Sequence, residues 1–556
     1  MHGTDIIARH LAIAPGADEV AALGGTFAEA GEETIAQVLS SAATYADTYL
    51  VPLNVAGDRK GCELRDGRVH TVPEHEAAWA AFVEDGWAAL DAPVEMGGMG
   101  LPNALSVAVQ ELFDQACPAF GMMPVPQKSG SRLLQAFGDE ETKGEWVTKL
   151  TTGEWGATIC ISEPDAGSDV ARLRTRAEPD GIGDWRITGE KCWISFGDQQ
   201  LTERIGHFVL ARTGVGISLF LVPSWISGPE DRNPIVVRRL EEKLGLHLSP
   251  TCVMGFEGAK GYMLGVEGRG LQQLFTMIFN MRLATGVQGA GIAAAAYGCA
   301  RGYAEERRQG GKGEQPVPIA EHADIQSMLL GMAARIETLR GLNFTVANLA
   351  DLSRSAPDQA DRDEAAALAD WLLSIIKTEG GDAAFDLSSD AIQVLGGAGY
   401  TQEWPVEQCL RDARVLTIFE GTTGMQAQDL LFRRLLRNDG VSYKAFMARA
   451  REEAADTPEL AGGLDNLERA VAALSDPDVS RRELEAAATP FLRLATLAAQ
   501  GWIAARLAPL EGSDPVDRHL AAAGRYFLAG LEERMRHAAQ RAMPGASNLE
   551  GFADLL

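Results

Sequence analysis

The sequence predicts an α+β chain: a helical stretch, a β-rich stretch, then two further helical stretches. Three observations carry this. Apolar residues recur at three- and four-residue spacing across 104–116, the period of a helix with one buried face. From about Glu154 to Gly270 the chain reads as short runs, WRITGEKCWISF, HFVLAR, ISLFLVP and PIVVRRL. These are rich in β-branched and aromatic residues and are separated by Gly, Asp and Pro turns, the pattern of antiparallel strands. From Leu271 onward the chain returns to long, Ala-rich helical segments.

Each segment follows from its texture. Residues 1–155 are amphipathic helices interrupted by Gly/Pro turns such as DAPVEMGGMGLP at 91–102. Residues 156–270 form an antiparallel β-domain. Residues 271–437 are helical again, and the Ala/Gly-rich run GVQGAGIAAAAYGCA at 286–300 predicts a helix packed closely against another. Residues 438–556 are helical, with loops at SDPDVS and APLEGSDP.

Composition bounds the function. Fifty Lys and Arg against 77 Asp and Glu leave a net charge of −27, which excludes a nucleic-acid binder held by bulk positive charge. With 46% hydrophobic and 23% charged residues, the chain has the balance of a folded globular protein. No uncharged apolar stretch is long enough for a transmembrane helix, so no integral membrane segment is expected. The seven cysteines form no CxxC pair, which argues against a disulfide scaffold and a zinc knuckle. The N-terminus lacks a basic region followed by an apolar block, so a cytoplasmic location is expected.

Four strings carry candidate chemistry. Cys160-Ile-Ser-Glu-Pro-Asp-Ala-Gly-Ser-Asp169 falls where an apolar strand breaks into a turn. Its small hydroxyls, Ser162 and Ser168, suit a flat polar ring and a polyanion; the string fits an ordinary turn equally well. In Ile187-Thr-Gly-Glu-Lys-Cys-Trp-Ile-Ser195, a regular strand puts Trp193 and Ser195 on one face, an aromatic plate beside a hydroxyl. A core Trp with a partly buried Ser is the more common meaning of such a pair. In Gln393-Val-Leu-Gly-Gly-Ala-Gly-Tyr400, the glycines let backbone N–H groups approach a pyrophosphate, although GGxG after a helix is not the dinucleotide fingerprint. In RDARVLTIFEGTT, Glu420 ends an apolar stretch just ahead of a helix expected near Met425. Burial there would raise its pKa toward that of a general base; a helix-capping Glu is the equal alternative. His322 is the one histidine near these strings, and a structural role is expected for it.

Together, CISEPDAGSD, ITGEKCWIS, QVLGGAGY and RDARVLTIFEGTT resemble the acyl-CoA dehydrogenase family over residues 60–437. The C-terminal extension and the strings LGLHLSPTCVMGF and YAEERRQGG are most similar to the branch of 3-(methylthio)propanoyl-CoA dehydrogenases. The resemblance implies that 271–437 is a four-helix-bundle-type domain and that the cofactor is FAD. It implies that Glu420 removes the proton α to the thioester, with its own backbone N–H and a flavin ribityl hydroxyl holding the carbonyl oxygen. Ser162, Trp193 and Ser195 then match positions facing the flavin. Arg307, Gln393, Gly396, Gly397 and Thr422 match positions holding the rest of FAD, partly across a subunit boundary. Ser168 and Arg282 match positions on the CoA side.

Four positions depart from the family pattern: Arg172, Gln408, the RQGGKG that follows Arg307, and Ala323. The last two bear on the inter-subunit FAD contact. The implied partners are an acyl-CoA substrate, an electron-transferring flavoprotein and a second copy in a homodimer. An acyl-CoA oxidase and a non-catalytic CoA-thioester-binding protein are the alternatives. The segment 119–127, with Met122 and Met123, is expected to line the acyl pocket or to pack in the core.

Overall fold

The computed structural model describes residues 3–181, 183–549, 551–552 and 556. The chain divides into two compact units. One holds residues 37–284, and the other holds 1–36 together with 285–556.

The first unit joins a helical part to a β-domain. A short hairpin that the sequence reading did not anticipate, β1 (Glu63–Arg65) and β2 (Arg68–His70), interrupts its helices. Helix Asn103–Ala116 lies in the predicted window and buries most of its length. Seven strands follow: β3 (Gly156–Cys160), β4 (Arg176–Pro179), β5 (Trp185–Ser195), β6 (Ile205–Arg212), β7 (Ile217–Pro223), β8 (Ile235–Leu240) and β9 (Thr251–Leu264). The order β6-β4-β5-β9-β7 closes because β7 also pairs with β6; β3 extends β6 and β8 pairs with β9.

Two pairings, β3 with β6 and β4 with β6, are parallel, which corrects the expectation of a purely antiparallel domain. Nor are all strands short, since β9 has 14 residues and β5 has 11. Alternation still organises the core. Phe208 and Leu210 join Trp146, Trp155 and Leu219 in one apolar cluster. Val209 and Ala211 join Ile187, Phe220 and Met254 in another, so β6 is buried on both faces.

The second unit is helical. Its long helices are Gly270–Glu306 (from residue 285 onward), Ala323–Ser355 and Gln359–Leu395. The expected close packing of 286–300 is present: a Cβ on Gly289 would stand 2.1 Å from the Gly380 carbonyl oxygen, and one on Gly286 3.0 Å from that of Ile376. Only glycine lets the two backbones approach so nearly. The fourth helical run is broken into Val406–Ala413, a tight turn at Arg414–Thr417, and Thr423–Gln428. Glu420 lies in the gap.

The C-terminal extension packs its helix Arg481–Leu507 onto the others. Gln500 Nε2 donates to Thr338 Oγ1 at 3.1 Å and to Glu379 Oε1 at 3.3 Å. The N-terminal helix Thr4–Ile13 is tied in through His10, whose Nε2 meets Glu337 Oε2 at 2.9 Å. His519 of the extension meets the other oxygen of the same buried carboxylate at 3.1 Å. Arg340 bonds it too and, against the penalty of burial, helps hold Glu337 well below the usual carboxylate range.

Candidate active site

The candidate residues fall into two groups, one in each unit. Residues 37–284 contain Ser162, Ser168, Trp193, Ser195 and Arg282. The other unit contains Arg307, Gln393, Gly396, Gly397, Glu420 and Thr422. Two concavities, about 290 Å³ around Arg68 and Gln199 and about 660 Å³ around Leu349 and Trp502, contain none of them.

In the first group, the end of β3 and a kink in β5 are joined directly, because the Cys192 N–H donates to the Ser162 carbonyl at 3.0 Å. Trp193 is not in a regular strand. The register with β9 slips between Lys191 and Ile194, and Trp193 itself has φ 64°. This bulge corrects the simple period-of-two argument. Trp193 is 62% exposed, so it is not a core tryptophan. Ser162 and Ser195 are half-buried, and neither hydroxyl has a hydrogen-bond partner among the described residues. Ser168 is exposed on the loop after β3, and Arg282 is buried on helix Gly270–Glu306.

The loop carrying Ser162 and Ser168 is pinned by a pair that sequence reasoning missed. Glu163 is buried and accepts from Lys191 Nζ at 2.7 Å and from the Thr175 N–H at 3.0 Å. Lys191 is 0% exposed and also donates to the Ile161 carbonyl at 2.9 Å. Burial alone would raise the Glu163 pKa, but Lys191 and the backbone donors outweigh it and hold the carboxyl below its ordinary value. Both residues stand inside the quoted strings. A charged residue between the turn and the strand gave no sequence signal that distinguished it from a solvated one.

In the second group, Gln393 is exposed near the end of helix Gln359–Leu395, and Gly396 follows with φ 61°. Cβ atoms at Gly396 and Gly397 would meet nothing within 4 Å, so this backbone stands open. Packing demands glycine at Gly399 instead, where a Cβ would lie 2.8 Å from the Ile392 carbonyl oxygen. Arg307 is exposed just past helix Gly270–Glu306. His322 Nε2 meets the Gln309 carbonyl at 2.9 Å.

Glu420 is half-buried with φ 54°, and Gly421 follows with φ 90°. The helix-cap alternative fails: the next helix begins at Thr423, and Thr422 caps it by accepting from the Met425 N–H at 3.4 Å. Two buried side chains hold the turn. Lys377 Nζ donates to the Gly421 carbonyl at 2.8 Å. Gln426 Nε2 donates to the Glu420 carbonyl at 2.9 Å and to that of Gly421 at 3.3 Å. Sequence reasoning named neither residue.

Family models for acyl-CoA dehydrogenase match in succession: the N-terminal domain over 33–154, the middle domain over 158–259 and the C-terminal domain over 268–436. The chain belongs to the acyl-CoA dehydrogenase family. It is thereby an oxidoreductase of that family. It is 36% identical over 509 residues to the 3-methylmercaptopropionyl-CoA dehydrogenase of Ruegeria pomeroyi, covering 86% of this chain and 85% of that one. To the broad-specificity linear acyl-CoA dehydrogenase FadE5 of Mycobacterium tuberculosis it is 32% identical, covering 85% and 81%. In fold it is similar to an acyl-CoA dehydrogenase from Bacillus anthracis solved with FAD, at a TM-score of 0.77 and 20% identity over 92% of this chain and 88% of that one. No described helix is long and apolar enough to cross a membrane. Neither a disulfide nor a metal-binding cluster occurs among the described residues.

Proposed function

We propose that the protein is an FAD-dependent dehydrogenase that converts an acyl-CoA thioester to the 2-enoyl-CoA, with Glu420 as the base. The observation that carries this is the turn at Glu420. Its backbone is left-handed, and its own carbonyl and that of Gly421 are both held by buried side chains, a strained arrangement of the kind that accumulates where chemistry is done.

The residues present suit FAD. Trp193 is exposed on the β5 bulge, Ser162 and Ser195 carry hydroxyls with no partner among the described residues, and nothing stands within 4 Å of where Cβ atoms at Gly396 and Gly397 would lie. Bound FAD supplies the acceptor for the hydride that leaves the β-carbon. Ser162, Trp193 and Ser195 would hold the ring, and Arg307, Gln393, Gly396, Gly397 and Thr422 the phosphates and adenosine. Ser168 and Arg282 would take the CoA.

Glu420 removes the α-proton. The electron pair of that C–H bond becomes the new π bond as the β-hydrogen departs. Negative charge gathers on the thioester oxygen, where the Glu420 N–H is one donor; a donor of this kind typically contributes about 3 kcal/mol to the transition state. With a net charge of −27, the chain needs local arginines for the CoA phosphates, and Arg282 would supply one. The relative at 36% identity makes 3-(methylthio)propanoyl-CoA the first substrate to try and an arylpropanoyl-CoA the second. Electrons then pass to an electron-transferring flavoprotein, and the working assembly is a homodimer.

The test is anaerobic bleaching of the purified yellow protein by a panel of acyl-CoA thioesters. Glu420→Gln keeps the colour and loses bleaching. A fully active Glu420→Gln variant, or a colourless protein that FAD does not reconstitute, overturns the reading. Rapid H2O2 formation in air would make it an oxidase instead.

A further inference from the structure

We propose that Lys377, seconded by Gln426, is a positioning residue that sets where the Glu420 carboxylate stands. The inference rests on the proposed role of Glu420 as base.

The argument starts from helix Gln359–Leu395. Lys377 and Gly381 are one turn apart and share a face. Gly381 lets that face lie directly on the segment before the base: a Cβ there would stand 2.9 Å from Thr417 Cγ2 and 3.0 Å from the Leu416 carbonyl carbon. Lys377 reaches from the same face across the next residues. Its Nζ lies 5.9 Å from the centre of the Phe419 ring and 2.8 Å from the Gly421 carbonyl oxygen. It therefore contacts the residues immediately before and after Glu420. From the other side, Gln426 bonds the carbonyls of Glu420 and Gly421 with one amide nitrogen. Lys377 and Gln426 are each 0% exposed.

With both carbonyls held inward, the direction of the Glu420 Cα–Cβ bond is no longer free. A left-handed conformation at a non-glycine residue is unfavourable by roughly 1–2 kcal/mol, so the turn needs such ties to persist. The adjoining face of the helix is fixed as well. Gly380 and Ile376 press against Gly286 and Gly289, which sets how high Lys377 stands over the turn. A buried ammonium on a rigid helix holds the Gly421 carbonyl at a fixed distance with a charge-assisted bond.

The experiment compares Lys377→Met, Gln426→Met and Glu420→Gln in the holoenzyme. Lys377→Met is expected to slow anaerobic flavin reduction about 100-fold, the scale of an ångström-sized misplacement of a reacting group, with KM changed less than about threefold. The isotope effect with α-deuterated acyl-CoA should rise, because proton removal limits the rate more. Without any turnover, amide hydrogen exchange over 418–424 should quicken about tenfold while Tm and flavin content hold. A merely structural lysine would move Tm and flavin content and leave the isotope effect alone.

Gln426→Met should show the same signs in smaller degree, and it decides the matter if Lys377→Met does not fold. Wild-type rate, isotope effect and exchange in the folded variants overturn the positioning role even when Glu420→Gln is inactive. An active Glu420→Gln instead overturns the base assignment.

Discussion

His75 offers a pH-dependent test of the first unit that is independent of the proposed chemistry. It lies on helix Pro73–Glu84, is 0% exposed, and neither ring nitrogen has a hydrogen-bond partner among the described residues. The rings of Phe120 and Phe196 stand 5.8 and 5.9 Å away. Burial without an acceptor lowers its pKa from 6.5 to about 3. Between those values the unfolded chain binds a proton that the folded chain refuses, so stability rises with pH across this window and is lost as pH falls through it. From pH 7 to pH 4 the single group contributes about 3 kcal/mol of acid destabilisation, at 1.36 kcal/mol for each pH step once the unfolded histidine titrates.

His75→Leu removes both the titration and two unsatisfied buried nitrogens at similar volume. The variant should match or exceed wild-type Tm at pH 7. Its loss between pH 7 and pH 4 should be smaller by about 3 kcal/mol, or roughly 6–12 °C for a unit of this size. Thermal melts at stepped pH read this directly, because carboxylates common to both proteins cancel in the difference. Parallel melting curves for wild type and variant across the whole range would refute the reasoning.

Two further outcomes follow from the packing and the buried charges. Gly289→Ala places a Cβ 2.1 Å from the Gly380 carbonyl oxygen, so it should cost about 1–3 kcal/mol in Tm measurements, whereas Gly298→Ala on the same helix meets nothing within 4 Å and should gain up to about 1 kcal/mol. Lys191→Met strands the buried Glu163 carboxylate and should cost about 3–5 kcal/mol at neutral pH by denaturant unfolding, with the deficit shrinking as acid protonates Glu163.

The fold was legible wherever a period could be read. The helical windows, the β-rich stretch and the close approach at 286–300 all follow from spacing and side-chain volume. The turn at Glu420 was legible as an apolar run ending in Glu-Gly. What escaped was what pairing decides. The parallel register of β3 with β6 joins residues about fifty positions apart, and no local signal records it. Hairpin β1–β2 is three residues a side, too short for a period to register. The bulge at Trp193 depends on how β5 meets β9, so a strand read alone gives the regular alternation. Thr422 proved to be the helix cap, a role that the sequence reading weighs for Glu420.

The lysines Lys191 and Lys377 show why the site was harder to read than the fold. Each is 0% exposed, and each donates to a main-chain carbonyl of a neighbouring element, Ile161 in one unit and Gly421 in the other. Each stands next to positive-φ backbone at a non-glycine residue: Trp193 at 64° two positions after Lys191, and Glu420 at 54° just before the carbonyl that Lys377 holds. The pattern has a physical reason. A strained turn exposes carbonyls that no helix or sheet ladder will take, and burying them unpaired costs about 1–3 kcal/mol each. A lysine on an adjacent rigid element can reach such a carbonyl through four flexible methylenes and supply a compact charged donor. The buried charge of Lys191 is offset by the Glu163 carboxylate at 2.7 Å. In a sequence, a lysine at such a position looks like every solvated lysine. Its meaning appears only when the partner carbonyl, far along the chain or across a helix face, is known.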